Sequence, residues 1–350
     1  KIACACILSA ARSRACAIFL RLDWGCDMNG AINFTATFSH GVEWGWPIAV
    51  YLLLAGMSGG ALVVAILVKF YKKQTASTPL FKAASLLSLV TILLGMVCLV
   101  ADLERPLLFW KILINYNFTS VMSVGVAALC VYIPLSFVAC LYALESELGE
   151  FLTHKFTFLK GLFALVMKIL NALRLPLLAF TLVFAVAICA YTGFLISVLV
   201  RFPILNTAVL PALFVASGLS AGIAGSSLIA AFFFKEDLHG GDLKILHAVE
   251  WPVLAMEILL IGMIFVSLVT GSDVQKAASI AFKSGFYAKM FWLGVVGIGF
   301  CVPLVLNFML GKKVAHSPFA FYASALASVI GVLLLRMFIL YAGQTYDIIM

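Results

Sequence analysis

Apolar residues run along this chain in eight long stretches, each closed by a short polar break. The stretches cover 46–68, 83–101, 121–144, 175–200, 209–234, 245–270, 291–310 and 318–343. About 20 apolar residues cross the roughly 30 Å hydrocarbon core of a bilayer as an α-helix. The breaks are strongly polar, as at Lys69, Lys72 and Lys73, at Asp102, Glu104 and Arg105, and at Arg201. The pattern predicts an all-α integral membrane protein of eight transmembrane helices. Residues 145–174 follow a different pattern. Lys155, Lys160, Lys168 and Arg174 alternate there with apolar positions at helical spacing, which predicts an amphipathic helix lying in the interface rather than a ninth span.

Loop charges orient the spans, because Lys and Arg concentrate on the cytoplasmic side. The loops after spans one, three, five and seven hold Lys69, Lys72, Lys73, Lys82, Lys155, Lys160, Lys168, Arg174, Lys235, Lys244, Lys312 and Lys313. Those after spans two, four and six hold only Arg105, Lys111, Arg201, Lys276, Lys283 and Lys289. The odd loops are therefore expected inside and both termini outside. A weak internal repeat accompanies this. Gly56-Met57-Ser58-Gly59-Gly60 of span one matches Gly218-Leu219-Ser220-Ala221-Gly222 of span five, and Tyr191-Thr192-Gly193 of span four matches Tyr341-Ala342-Gly343 of span eight. Equivalent spans point the same way, which predicts two parallel four-helix halves. The plainer alternative is the general use of small residues where helices pack closely.

Composition supports a membrane protein. Hydrophobic residues make up 64% of the 350 and charged residues 11%, against about half and about a quarter in soluble chains. The net charge of +8 is spread over short loops with no basic stripe, so nucleic-acid binding is excluded as its explanation. Lys1 to Asp27 contain four of the nine cysteines and three arginines but no clean apolar run. This segment is expected to be an upstream extension or a misassigned start outside the fold, with one membrane domain covering 28–350.

The ligand inventory narrows the chemistry. The cysteines at 3, 5, 16, 26, 98, 130, 140, 189 and 301 form no CxxC pair, so an iron–sulfur cluster within the chain is not expected. The histidines are at 40, 154, 239, 247 and 316, and only His247 lies near a span. No pair of them faces across the membrane to hold a haem. The chain is expected to carry no redox centre or metal of its own.

Polar residues at membrane depth are costly and so are functional candidates. Many fall in the outward half: Glu43, Trp44, Trp46 and Tyr51 around the start of span one, Asp102, Glu104 and Arg105 at the end of span two, Asn115 to Asn117 before span three, Tyr191 in span four, and Arg336, Tyr341 and Gln344 in span eight. A buried Arg336 needs a carboxylate or carbonyl, and Asp102 and Glu104 lie at the right depth to supply one. The cluster is expected to form a polar pocket for an amphiphilic ligand, the alternative being an ion pair with an aromatic belt. A second stripe, His247, Glu250 and Glu257, shares one face of span six. It is a candidate proton path, against a helix-start carboxylate and one buried, protonated Glu. Gly56-x-Ser58-x-Gly60 has the spacing of a hydrolase elbow but sits within a span, without the strand–turn–helix context, and is expected to serve helix packing.

Segments along the whole chain from Met28 onward resemble the NrfD family. They are Trp46-Pro47 to Gly60, Asn115 to Gly125, Ala190 to Leu195, Leu210-Pro211 to Gly222, Phe291 to Val295 and Arg336 to Gln344. Within the family the likeness is greatest to the branch serving formate-dependent nitrite reductase, the other branch serving polysulfide reductase. The resemblance implies a bacterial inner-membrane subunit that oxidises menaquinol or another quinol near the periplasmic face. It further implies that electrons pass to a periplasmic, four-cluster ferredoxin-like iron–sulfur subunit and then to a terminal reductase. In the polysulfide reductase branch a quinone is held by a Tyr of the fourth span and by an Asn and a His of the first. The Tyr corresponds to Tyr191. The His position falls on Tyr51 and the Asn position on Ile48, and His40 or Glu43 is expected to substitute. Asp102 or Glu104 would accept a proton, with Arg336 setting their charge state. Two alternatives remain: the same role in a polysulfide, thiosulfate or other molybdopterin reductase complex, and a secondary transporter, since repeats and mid-span carboxylates also suit that class.

Overall fold

A computed structural model describes residues 44–74, 77–103, 106, 109–114, 116–155, 157–200, 202–237, 241–306 and 317–345. The described residues include eight helices long and apolar enough to cross a membrane. They are α1 (Trp46–Tyr71), α2 (Pro79–Ala101), α3 (Val121–Ala143), α4 (Arg174–Ser197), α5 (Leu210–Phe233), α6 (Leu243–Thr270), α7 (Gly285–Leu304) and α8 (Pro318–Thr345). The boundaries follow local chemistry. Pro47, Pro79 and Pro211 lie in the first turns of α1, α2 and α5, where a missing N–H costs nothing. The Thr78 hydroxyl caps α2 by accepting from the Phe81 N–H at 3.3 Å. At the C-terminal end of α1, Lys72 pairs with Asp242 at 2.5 Å, tying it to the start of α6.

The described residues on either side of position 156 are helical, as Glu145–Lys155 and Thr157–Ala172, and they are not among the helices long and apolar enough to span. One expectation changes in detail. Helix α7 begins at Gly285, earlier than the apolar run suggested, and Met290–Cys301 within it is π-helical. Gly299 of this widened stretch meets Gly331 of α8 so closely that a Cβ on either would collide with the other's backbone.

Helices α1 and α5 are the most enclosed, while α6 and α7 turn most of their surface outward. Leu94, Val97, Val183, Leu259 and Val266 are among the exposed apolar residues, as expected where lipid is the solvent. Contacts repeat between the halves. Helix α1 packs on α2 and α4, and α3 packs on α4; likewise α5 packs on α6 and α8, and α7 packs on α8. The cross-contacts α1 to α8 and α4 to α5 are also counterparts. The centre of the molecule is the crossing of α1 with α5, where the two matched glycine motifs meet. A Cβ at Gly60 would strike the Gly218 carbonyl, and one at Gly222 would strike the backbone of Gly60 and Ala61. Small residues thus bring the backbones together where no hydrophobic force between helices is available.

Candidate functional site

At the Trp46 end of α1, helices α1 to α4 enclose a cavity of about 200 Å³. Its wall is mostly apolar, with Ile48, Leu99, Met122, Val126, Leu129 and Leu195, and its polar groups are Trp44, Tyr51, Asp102 and Tyr191. Four different helices or their ends therefore deliver residues that are far apart in sequence. Tyr51 is 1% exposed and lies within electrostatic reach of Tyr191. Tyr191 is positioned by an absence: its phenol occupies the space that a Cβ on Gly125 of α3 would fill. Asp102 follows the last turn of α2 as its C-cap. Partial desolvation raises the carboxyl above the ordinary carboxylate range.

The outer edge is closed by Gln344 of α8. Its amide accepts from the Trp44 N–H at 2.8 Å and donates to the Trp44 carbonyl at 3.2 Å and the Leu340 carbonyl at 3.0 Å. The chain entering α1 is thus fastened to the end of α8. His40, Glu43 and Glu104 lie outside the described residues.

Arg336 is placed differently from expectation. No ion pair joins it to Asp102 among the described residues, and it does not line the cavity. It is fully buried one layer further in, with Nη2 donating to the Phe214 carbonyl at 3.1 Å and to Ser217 Oγ at 2.8 Å on α5. Its guanidinium carbon stands 3.4 Å from the centre of the Phe214 ring. Gly56 of α1 makes room, since a Cβ there would come within 3.3 Å of Nη2. The physical reason is helical phase: from its position on α8 the side chain faces α5, where the Phe214 carbonyl and the Ser217 hydroxyl take its Nη2. Its Nε and Nη1 have no hydrogen-bond partner among the described residues.

On the side of Arg336 away from the cavity, the α6 stripe continues the line of polar groups. Glu257, 1% exposed, is within electrostatic reach of Arg336 and shares a water-sized chamber with Ser220 and Ser328. Neither carboxylate oxygen makes a full hydrogen bond among the described residues, though Ser220 faces it. Ser328 reaches the Glu250 carboxylate at 3.5 Å, and His247 Nδ1 lies 3.4 Å from its other oxygen. His247, Glu250 and Glu257 are thus brought together with Ser220, noted in the sequence only as part of a glycine motif, and with Ser328, which was not noted.

Three further features were missed. Ser58 of α1, Ser88 of α2 and Tyr132 of α3 form a buried triangle, with Ser58 to Ser88 at 2.9 Å, Ser58 to Tyr132 at 3.0 Å and Ser88 to Tyr132 at 3.1 Å. Ser58 is thus a structural hydroxyl, as the packing reading of its glycine motif held. Ser217 was overlooked as the acceptor for Arg336, and Gly125 as the seat of Tyr191. The available signal was small polar residues inside apolar runs, which mark helix contacts in membranes.

These features define a class: a polytopic helical membrane protein with a mostly apolar, polar-tipped cavity at one end and a file of buried ionisable groups leading from it toward the other. The family described as "Polysulphide reductase, NrfD" matches residues 35–347. The sequence is 42% identical to the C subunit of polysulfide reductase from Wolinella succinogenes over 311 residues, covering 87% of this protein and 95% of that one. It is 37% identical to protein NrfD of Escherichia coli (86% and 95% covered) and 34% identical to the NrfD homolog of Haemophilus influenzae (86% and 94%). The chain belongs to the NrfD family, and its eight apolar helices make it a membrane member of it. The identities do not divide the family by terminal acceptor.

Proposed function

We propose that the cavity between α1, α2, α3 and α4 is where menaquinol or a related quinol is oxidised. The observation that carries this reading is the convergence of Tyr51, Asp102 and Tyr191 on one largely apolar chamber. Apolar cavities of about 150 Å³ take up a benzene ring, so a chamber of about 200 Å³ suits a quinol head group. A quinol gives up two protons with its two electrons, and it needs hydrogen-bond partners that change role as they leave. Tyr191 would hold one ring oxygen, Tyr51 would take the first-span position, and Asp102 would accept a proton. The electrons would pass to a periplasmic iron–sulfur subunit of four clusters docked on the outer face, then to a terminal reductase. Nitrite reduction to ammonia is the reading favoured for that reductase, with polysulfide or another acceptor as the alternative. Both termini would face the periplasm. His247, Glu250 and Glu257 would carry protons between the inner face and the Arg336 layer beneath the cavity.

The experiment is turnover of a soluble menaquinol analogue by the complete complex in membranes. Tyr191→Phe should insert normally and slow quinol oxidation. Wild-type turnover in that variant would contradict the assignment.

A further inference from the structure

The opposite ends of α1 and α4 hold a second site, unrelated to the cavity. A groove of about 560 Å³ runs between them. At its polar end Lys69, Lys73 and Arg174 converge, and no carboxylate is among its lining residues. Arg174 stands over the Tyr142 ring at 5.4 Å and Lys69 over the Phe81 ring at 4.5 Å, and the two cations repel each other. Neighbouring acids are committed elsewhere. Asp242 pairs with Lys72, Glu147 pairs with Lys82, and Glu145 accepts from Asn171 at 2.9 Å. Lys73 and Arg174 form no ion pair among the described residues. The Nε of Arg174 is buried with no hydrogen-bond partner there. Lys73 ends α1 at a φ of +51°, a left-handed conformation that a lysine adopts at a cost. At its other end the groove is apolar, floored by Phe70, Leu178 and the outward-facing Leu175.

Gathered cations with an unfilled donor call for an anion. The apolar floor decides which kind, because a free phosphate would leave Phe70, Leu175 and Leu178 uncovered. Basic pockets between helix ends at the cytoplasmic face are suited to anionic lipid head groups. We propose that this groove binds the phosphate of an anionic phospholipid of the inner leaflet, with an acyl chain lying along Leu175 and Leu178.

The test is native mass spectrometry of the full chain in detergent, with short-chain phosphatidylglycerol, the matching phosphatidylcholine and inorganic phosphate as separate probes. Phosphatidylglycerol should bind in preference to phosphatidylcholine. Lys73→Gln and Arg174→Gln should each weaken it about fivefold, while Lys276→Gln, in the short helix Asp273–Ala278 beyond the far end of α6, should not. Lys73 is exposed, so its variant reports on binding even if Arg174→Gln disturbs folding. Equal binding of the two lipids, or no effect of Lys73→Gln, would overturn the proposal. So would displacement of phosphatidylglycerol by inorganic phosphate with the same dependence on Lys73, which would make this a free-phosphate site.

Discussion

Tyr191 owes its place to a glycine on another helix. Because its phenol fills the space above Gly125, Gly125→Ala should push the ring out of the cavity and weaken quinol oxidation at least as much as Tyr191→Phe, with the helices intact. Normal turnover in Gly125→Ala would show that the ring's position does not matter. Tyr191→Phe itself removes one hydrogen bond, worth about 0.5–1.5 kcal/mol and up to about 3 where charge develops, so a loss from a few-fold to roughly a hundredfold is expected in kcat/KM for quinol. Asp102 gives a pH signature. Burial raises its carboxyl above the ordinary range, so the carboxylate needed as base appears only as pH rises through that elevated value. Quinol oxidation should therefore climb along a limb displaced above the usual carboxylate range, and Asp102→Asn should remove the limb while lowering the plateau. A limb unchanged in Asp102→Asn would assign it to another group. At this scale the sequence was informative about which residues matter and less so about who touches whom. Tyr51, Asp102 and Tyr191 stood out because polar groups at depth are costly. The partners of Arg336 were not read: one is the Phe214 carbonyl, which leaves no trace in composition, and the other is Ser217, one of several small polar residues inside the apolar runs.

At the scale of the element, α1 and α5 decide whether the bundle closes. Their crossing leaves no room at Gly60 or Gly222, so Gly60→Val should block assembly rather than slow turnover, seen as loss of folded protein in the membrane. Folded protein at the normal level would mean that the two backbones can separate without loss. Arg336→Ala breaks the bonds to Phe214 and Ser217 and should lower thermal stability, because it removes a link between α8 and α5. Helix α6 carries the proton reading. In proteoliposomes holding the complete complex, Glu257→Gln should retain electron transfer and reduce the protons appearing outside to those the quinol itself releases. An unchanged ratio of protons to electrons would remove Glu257 from any relay. The eight helices were legible because lipid imposes a single length and a single polarity on them. The start of α7 was not, because Gly285 to Met290 combine Gly, Lys and Tyr with apolar residues, which interrupts the apolar run without interrupting the helix.

For the molecule as a whole, a chamber at the Trp46 end of α1, a central glycine crossing and a file of ionisable groups leading away from the chamber form one arrangement. The matched halves explain the crossing, since the same motif meets its own counterpart there. The outward placement of the chamber rests on the loop charges, and a reporter fused after residue 350 should behave as periplasmic; a cytoplasmic signal would reverse the whole arrangement. The central claim is that quinol occupies the chamber lined by Tyr51, Asp102 and Tyr191. Photolabelling tests it most directly, with an azido-naphthoquinone activated in membranes containing the intact complex and the labelled peptides mapped by mass. Label is expected on 99–103, 122–129 and 191–195, suppressed by excess menaquinol analogue. Label confined to other helices, or label in these segments that excess analogue does not displace, would contradict it.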